Sequence, residues 1–137
     1  MVSSTTVTDI PIVSKGALWT GRIISILVVL FMLFDCITKI FQVPQVIEAS
    51  ARAGINAHEV FWIGVTLLIS VTLYVVPQTS VFGAILIVGY LGGAVCANVL
   101  SHQPIFNSCF AITFGVLTWV GLYLREPRLH ALVPLRS

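Results

Sequence analysis

A chain of 137 residues, of which 58% are hydrophobic and 9% charged, does not fit a soluble protein, where about a quarter of the residues are charged. The net charge of +2, without any basic run, does not indicate nucleic-acid binding, and no nucleic-acid partner is expected. The cysteines number three and lack CxxC spacing, which excludes a disulfide framework and a zinc motif. With a mean hydropathy of +1.04, the chain is predicted to be a single-domain integral membrane protein in contact with the lipid bilayer.

Several apolar stretches are long enough to cross a bilayer, because about 20 residues rising about 1.5 Å each match a hydrocarbon core of about 30 Å. The predicted spans are residues 18–41, 60–76, 80–100 and 105–124. Prolines stand at the turns (Pro44, Pro77, Pro104) and never inside a span, as expected of a residue that interrupts helices. The fold class is therefore all-α, a four-helix transmembrane bundle. A polar N-terminal tail, 1–17, expected to be disordered or to lie on the surface, and a basic C-terminal tail, 125–137, flank it.

The long connection between the first two spans contains the segment PQVIEASARAG. Its apolar residues Val46 and Ile47 fall opposite Glu48 and Arg52 at helical spacing, which predicts a short amphipathic helix at the membrane interface, ended by Gly54. Two interpretations stay open: a packed segment that covers the end of the bundle, or a mobile lid over a site.

The placement of lysine and arginine predicts the orientation. With an even number of spans, both termini share one side of the membrane. That side carries Lys15, Arg22, Arg125, Arg128 and Arg136, and the other carries Lys39 and Arg52. Both termini are therefore predicted to be cytoplasmic, and the amphipathic helix to lie on the outer side.

The third span contains a GxxxG motif, Gly89 and Gly93, continued by Ala97. Small residues let helix backbones approach closely in a membrane, where lipid provides no hydrophobic force between helices. Packing within the bundle is the favoured interpretation of this motif, and a homodimer formed through Gly89 and Gly93 is the alternative.

Two charges inside the first span, Asp35 and Lys39, are four residues apart. Charges within a span are costly, so they pair, face the bundle interior or mark a functional site. The predicted topology collects further polar residues at the same outer end: His58, Glu59, Asn98, His102 and Asn107. This convergence, more than any single residue, indicates a polar pocket that opens outward.

Within this pocket, Asp35, His58, Glu59 and His102 are the candidate catalytic acids and bases. Lys39, Trp62, Asn98 and Asn107 are the candidate ligand-binding residues, and no metal site is predicted. The expected apolar chamber beneath the pocket is lined by Phe31, Trp62, Phe106 and Phe110. Each of these residues also has a purely structural interpretation. Asp35 and Lys39 can neutralise each other within their own helix. His102 can be an ordinary loop residue, and His58 with Glu59 can simply mark the start of a helix.

The turn between the third and fourth spans puts Asn98 at the depth of Asn107, and Cys96 at the depth of Cys109. A hydrogen bond between the two asparagines across the helices is expected. A redox-active dithiol is an alternative for the cysteines, but packing in the interior is favoured because antiparallel helix axes often keep Cα atoms beyond disulfide range.

The chain resembles the DoxX-like membrane proteins in Arg22 and Lys39 of the first span, in Pro44-Gln-Val-Ile of the connection, and in Phe82-Gly-Ala-Ile-Leu86 with Gly92-Gly-Ala94. The resemblance implies a four-helix bundle of the bacterial inner membrane. It also implies membrane redox metabolism, since the family name comes from a subunit of a thiosulfate:quinone oxidoreductase, while other relatives assist receptor assembly. Many relatives carry a glutamate one turn after the glycine of the second span, whereas here Val65, Thr66 and Leu67 follow Gly64.

The leading functional prediction is a pocket for a quinone or another small lipophilic molecule, in a subunit or accessory of a membrane redox system. No cofactor motif is evident, so quinone is expected as a ligand at most. The first alternative is a cofactor-free isomerase or cyclase that uses Asp35 with His58 or Glu59. The second is a non-catalytic assembly partner.

Overall fold

The computed structural model describes residues 14–132, with side chains as far as His130. Over that range the chain is all-α and contains no strand. The helices are α1 (Lys15–Ile40), α2 (Pro44–Arg52), α3 (Ala57–Val75), α4 (Ser80–Leu100), α5 (Ile105–Arg125) and α6 (Pro127–Leu132). Four of them, α1, α3, α4 and α5, are long and apolar enough to cross a membrane. The predicted fold class and the short helix between the first two spans are thus confirmed.

Each spanning helix packs against two neighbours, in the order α1, α3, α4, α5 and back to α1. Helix α1 therefore lies diagonally opposite α4, and α3 lies diagonally opposite α5. We call the end that carries α2 and the α4–α5 turn the α2 end. The opposite end, with the α3–α4 turn and α6, is the termini end.

Two spanning helices begin three residues before their predicted starts because of local capping. The hydroxyl of Ser14 accepts a hydrogen bond from the Ala17 amide at 3.2 Å and starts α1. At α3, the Asn56 side chain accepts from the Glu59 amide at 3.1 Å, and the Glu59 carboxylate accepts from the Asn56 amide at 2.9 Å. This capping box satisfies two amides that the first turn of a helix leaves unpaired.

The helix ends that frame the α2 end use left-handed residues: Gln42 (φ 52°), Gly54 (φ 79°) and His102 (φ 51°). In each case the next amide bonds back to a carbonyl five residues earlier, as from Gln103 to Asn98 at 2.9 Å. This Schellman geometry ends α1, α2 and α4 and turns the chain sharply. Gly54 ends α2 as predicted.

Close helix packing involves glycines other than the GxxxG pair. A Cβ built at Gly83 would lie 2.5 Å from the Cα of Tyr74, and one at Gly21 would lie 2.7 Å from the Cβ of Leu124. Cβ atoms at Gly89 and Gly93 would meet no atom within 4 Å in the described part of the chain. Close packing of these two glycines within the bundle is therefore a wrong prediction, because Gly89 meets open space and Gly93 borders a cavity.

The predicted tails lie only partly within the described range. The tail predicted at 1–17 contains the start of α1, and its residues 1–13 are outside the described residues. The predicted C-terminal tail contains α6, whose Leu129 is buried and whose His130 stacks on Tyr123 at 4.1 Å. Proline at the first position of α6 suits a helix start. The prediction of a basic tail overlooks this signal.

Candidate functional site at the α2 end

A cavity of about 560 Å³ lies at the α2 end, lined by residues of α2 and of all four spanning helices. Its walls are mainly aliphatic and small side chains, with a charged and phenolic group, Lys39 and Tyr90, among them. The lining comprises Lys39, Gln45, Val46, Ala49, Ser50, Ala53, Ile55, Val60, Ile63, Tyr90, Gly93, Ala94, Ala97, Asn98, Ser101, Gln103 and Asn107.

The charged part of the cavity is organised by Asp35. Lys39 Nζ donates to Asp35 Oδ1 at 2.5 Å, as the spacing of four residues on one helix allows. The Tyr90 hydroxyl donates to the other carboxylate oxygen, Oδ2, across the diagonal of the bundle. Lys39 and Tyr90 line the cavity, whereas Asp35 does not. The Asp35 carboxylate therefore lies behind Lys39 and Tyr90 and accepts a hydrogen bond from each of them.

Helices α1 and α3 pack closely beside this ion pair. A Cβ at Gly64 would lie 2.9 Å from the Cβ of Lys39 and 3.3 Å from the Cys36 carbonyl oxygen. The glycine thus lets the two backbones approach where Lys39 leaves α1. The side chains of Lys39 and Asp35 are 15% and 28% exposed, so the pair is largely shielded within the bundle. The only carboxylate inside a predicted span comes from α1, and the residues after Gly64 supply none.

Carboxamides occupy the part of the cavity beyond the ion pair. Asn98 lies in the last turn of α4, Asn107 lies in the first turn of α5, and Gln45 and Gln103 complete the set. The hydrogen bond expected between Asn98 and Asn107 does not form among the described residues, although both side chains line the same cavity. Since Asn98 lies eight residues beyond Tyr90, the two polar regions are about 12 Å apart along α4.

Three predicted site residues on α3 lie outside the cavity. Trp62 is 55% exposed and its Nε1 donates to His58 Nε2 at 3.2 Å, so the two side chains pair on the outer surface. Glu59 is engaged in the capping box of α3. The inward positions at this level are Val60 and Ile63, and at about 100° per residue His58 and Trp62 point elsewhere.

His102 also lies away from the cavity. Its left-handed backbone closes the Schellman turn after α4. Its side chain is exposed and lines a separate shallow groove with Ile105 and Cys109. The structure thus brings Lys39, Asn98 and Asn107 together at one cavity, with Asp35 bound behind Lys39. It places His58, Glu59, Trp62 and His102 elsewhere.

The expected aromatic chamber does not form. Phe31 stacks on Phe114 with ring centroids 4.2 Å apart and contacts Phe110 edge-on at 5.1 Å. Phe106 is 71% exposed, and neither it nor Trp62 lines the cavity. The aromatic residues were placed by depth alone, and their helical phase turns them to the bundle surface or to a separate cluster between α1 and α5.

The cysteines are all free thiols. Cys36 is buried, while Cys96 and Cys109 are exposed on different helices. Burial of Cys36 agrees with the favoured packing interpretation, whereas the exposure of the other two contradicts it for them, because those positions face outward.

Tyr90 is the site residue that the sequence interpretation missed. It is a single phenol in the middle of an otherwise apolar and small-residue helix, where its hydroxyl needs a partner in the absence of water. That requirement was a usable signal. The partner was not evident, because it comes from the diagonally opposite helix.

The site can offer hydrogen bonds of both directions. Lys39 has three N–H donors and uses one on Asp35. Tyr90 gives its proton to Asp35, which leaves the lone pairs of its oxygen available. Among the residues from 14 to 132, no group of three or more His, Cys, Asp or Glu side chains is suited to a metal ion. The cavity wall therefore carries both a donor and an acceptor of hydrogen bonds.

The family model described as the DoxX-like family matches residues 23–121. The chain belongs to the DoxX-like family. The matched region runs from the first turns of α1 to the last turns of α5 and so includes every residue of the cavity. Neither the curated proteins nor the solved structures that were compared contain a significant match to this chain. The resemblance inferred from the sequence motifs is thereby confirmed.

Proposed function

We propose that this DoxX-like membrane protein binds a quinone, or another small lipophilic molecule with an oxygen-bearing head, in the cavity at the α2 end. The observation that carries the proposal is the pairing of Lys39 and Tyr90 on one carboxylate at the wall of an otherwise mainly aliphatic cavity. Ligand sites of proteins are largely apolar concavities with a few fixed polar groups that orient the ligand.

The dimensions support such a ligand. A volume of about 560 Å³ lies within the range of about 300–1,000 Å³ that is common for small-molecule sites. Ammonium donors of Lys39 suit a carbonyl or hydroxyl oxygen, and the aliphatic side chains of Val60 and Ile63 suit the hydrocarbon part of the molecule.

The proposal extends to cellular context. The excess of lysine and arginine at the termini end favours cytoplasmic termini, with the cavity toward the outer side of a bacterial inner membrane. The chain carries no motif for an electron-transferring cofactor, so a partner in a membrane redox system would perform electron transfer. In that arrangement this protein is a subunit or accessory that holds the lipophilic substrate.

A steric block of the cavity tests the proposal. Ala97 lines the cavity, and Ala51 lies exposed on α2 outside it, so Ala97→Phe and Ala51→Phe form a matched pair. Lipophilic molecules extracted from purified protein would be quantified by mass spectrometry. We expect wild type and Ala51→Phe to retain the same quinone, and Ala97→Phe to lose most of it while remaining folded. Equal retention in both variants would refute the proposal.

A cofactor-free enzyme is the second candidate. The Asp35–Tyr90 hydrogen bond offers a proton relay, and the neighbouring ammonium can stabilise an enolate oxygen. Asp35 would act through Tyr90, in place of the His58 and Glu59 of the sequence prediction. A lipophilic ketone incubated with the protein in D₂O would then gain deuterium beside its carbonyl, and Asp35→Asn would abolish this exchange. Exchange at the rate of protein-free vesicles would exclude this candidate.

Assembly with a second copy is the third candidate, and the exposed glycine face of α4 favours it. Gly89 and Gly92 have open space before them, and Cys96 is exposed one turn beyond Gly92. Oxidative cross-linking through Cys96 in the membrane would detect a symmetric contact of this face. We expect a covalent dimer in wild type that Gly89→Leu prevents. Cross-linking unchanged by Gly89→Leu would exclude this interface.

A further inference from the structure

We infer that the cavity selects the reduced form of its ligand, a hydroquinone-type hydroxyl compound, over the oxidised carbonyl form. The inference rests on the proposed function and deepens it by naming the ligand class. Its basis is the direction of the hydrogen bonds around Asp35, which leaves Tyr90 as an acceptor toward the cavity.

The direction at Tyr90 is set by the charge on Asp35. Lys39 Nζ lies 2.5 Å from Asp35 Oδ1 and stabilises the ionised carboxylate. An ionised carboxylate can only accept hydrogen bonds, so the single hydroxyl proton of Tyr90 must point to Oδ2. Within the described residues, nothing donates to the Tyr90 oxygen. Because Tyr90 lines the cavity, its lone pairs can accept from the contents of the cavity.

Lys39 presents the complementary direction. One of its N–H groups is engaged by Asp35, and the described residues offer no acceptor to the other two. Lys39 and Tyr90 are bound by the two oxygens of one carboxylate, so they lie side by side on the cavity wall. The wall thus offers adjacent donor and acceptor positions.

The hydroxyl group of a ligand can bond to both Lys39 and Tyr90, because it is a donor and an acceptor at once. Its proton is donated to the Tyr90 oxygen, and its own lone pairs accept from Lys39. A quinone carbonyl can accept from Lys39 but leaves the Tyr90 oxygen unpaired. One neutral hydrogen bond corresponds to about a fivefold to tenfold difference in the dissociation constant. This difference is the expected preference for the hydroxyl compound.

The variant Asp35→Asn is expected to reverse the direction at Tyr90. The amide oxygen of asparagine would accept from Lys39, and the amide nitrogen would donate to the Tyr90 oxygen. Tyr90 could then donate its proton into the cavity, where a quinone carbonyl accepts it. The preference of this variant should therefore move toward the oxidised ligand, an effect that mere loss of structure would not produce.

The experiment measures dissociation constants for the full-length protein in lipid nanodiscs under anaerobic conditions. The probes are a short-chain benzoquinone, its hydroquinone, and the dimethyl ether of that hydroquinone, which can accept but not donate. We expect wild type to bind the hydroquinone about five to ten times more tightly than the quinone or the ether. Tyr90→Phe should reduce these ratios to near unity, except for the affinity that the ether loses because its methyl groups are larger than hydroxyl protons. Tyr123→Phe, a matched change at the termini end, should preserve them.

The outcomes separate the two proposals. Suppose that the probes bind the wild type, that Ala97→Phe prevents this binding, and that the ratios of the dissociation constants are the same in wild type and Tyr90→Phe. The selectivity inference is then overturned, while the binding function stands. If no probe binds the wild type, the proposed function fails, and this inference fails with it. A shift of Asp35→Asn toward the quinone supports the inference, and an undiminished preference for the hydroquinone in that variant contradicts it.

Discussion

The two ends of the bundle contain similar groups in different surroundings. At the termini end, Arg125 lies 4.6 Å from the ring centroid of Tyr74 and donates to the Tyr74 carbonyl at 2.6 Å. At the α2 end, Lys39 lies 5.6 Å from the ring centroid of Tyr90. Each end thus has one tyrosine with a cation beside its ring, and in each a hydrogen bond crosses the diagonal of the bundle.

The partners of the two tyrosines differ. Tyr74 is 0% exposed, and its hydroxyl lies 3.2 Å from Ser25 Oγ and donates to the Thr118 carbonyl at 3.0 Å. Its hydrogen bonds are made within the protein. Among residues 14–132, Tyr90 has one side-chain hydrogen bond, to Asp35, and it lines the cavity. The comparison indicates that the closed network holds the helices together, whereas the network with unused donors and acceptors is the one available to a ligand.

The largest expected effect comes from disturbing the closed end. In Gly83→Ala, the added Cβ would lie 2.5 Å from the Cα of Tyr74 and 2.7 Å from the carbonyl carbon of Leu73. Because backbone must move, the free energy of unfolding should fall by about 3 kcal/mol. Thermal denaturation in mild detergent measures this. Gly89→Ala, with open space before it, is the control, and equal losses in both variants would contradict the described packing.

Removal of the cation at the α2 end should have the next largest effect. Lys39→Met leaves Asp35 without its counterion in a partly buried position, which we expect to cost about 2 kcal/mol of stability. Combining it with Asp35→Asn should restore most of the loss, since no uncompensated charge remains. Lys15→Met, at an exposed position, is the control. A double variant as unstable as Lys39→Met would show that the ion pair is not the cause.

The paired tyrosine variants sharpen the comparison directly. Tyr74→Phe removes the hydroxyl that bonds Ser25 and Thr118, so the stability should fall by about 1–2 kcal/mol. Tyr90→Phe should cost about half as much, because water in the cavity can replace the lost bond. Retention of the reduced ligand, the hydroquinone, should show the reverse order, with only Tyr90→Phe reduced. Variants that change stability and retention in parallel would contradict the division between the two ends.

The smallest effect is expected at Trp62. Its indole donates to His58 on the outer surface, away from the cavity, so Trp62→Phe should change stability by less than about 0.5 kcal/mol. Ligand affinity, measured by titration in nanodiscs, should stay within about twofold of wild type. A clear loss of affinity would show that Trp62 contributes to ligand binding, as the sequence predicts.

The fold could be predicted from the sequence because depth in a membrane is a one-dimensional property. The length of the apolar stretches predicts the spans. The apolar and charged faces of the segment that begins at Pro44 predict α2. Depth also brought Asp35, Lys39, Asn98 and Asn107 to one end correctly. The local capping that starts α3 at Ala57 was not recognised, although Asn56 and Glu59 carry its signature.

The azimuth of each helix could not be predicted in the same way. Residues 60–63 of α3 are all apolar, so no hydrophobic face distinguishes inward Val60 and Ile63 from outward Trp62. The pairing of Asp35 with Tyr90 depends on which helices are diagonal, and no local pattern contains that information. Correct depth with unknown azimuth is the reason that some of the predicted site residues lie outside the cavity.

Photoaffinity labelling tests the central claim, that the cavity at the α2 end is the ligand site, most directly. Another concavity provides the contrast: an apolar groove of about 440 Å³ between α4 and α5, lined by Leu91, Gly92, Ala111 and Trp119 among others. With a photoreactive quinone in nanodiscs, we predict label on peptides containing residues 45–55 and 90–98, removed by excess unlabelled quinone and by Ala97→Phe. Label confined to residues 111–120, and unaffected by Ala97→Phe, would contradict the account.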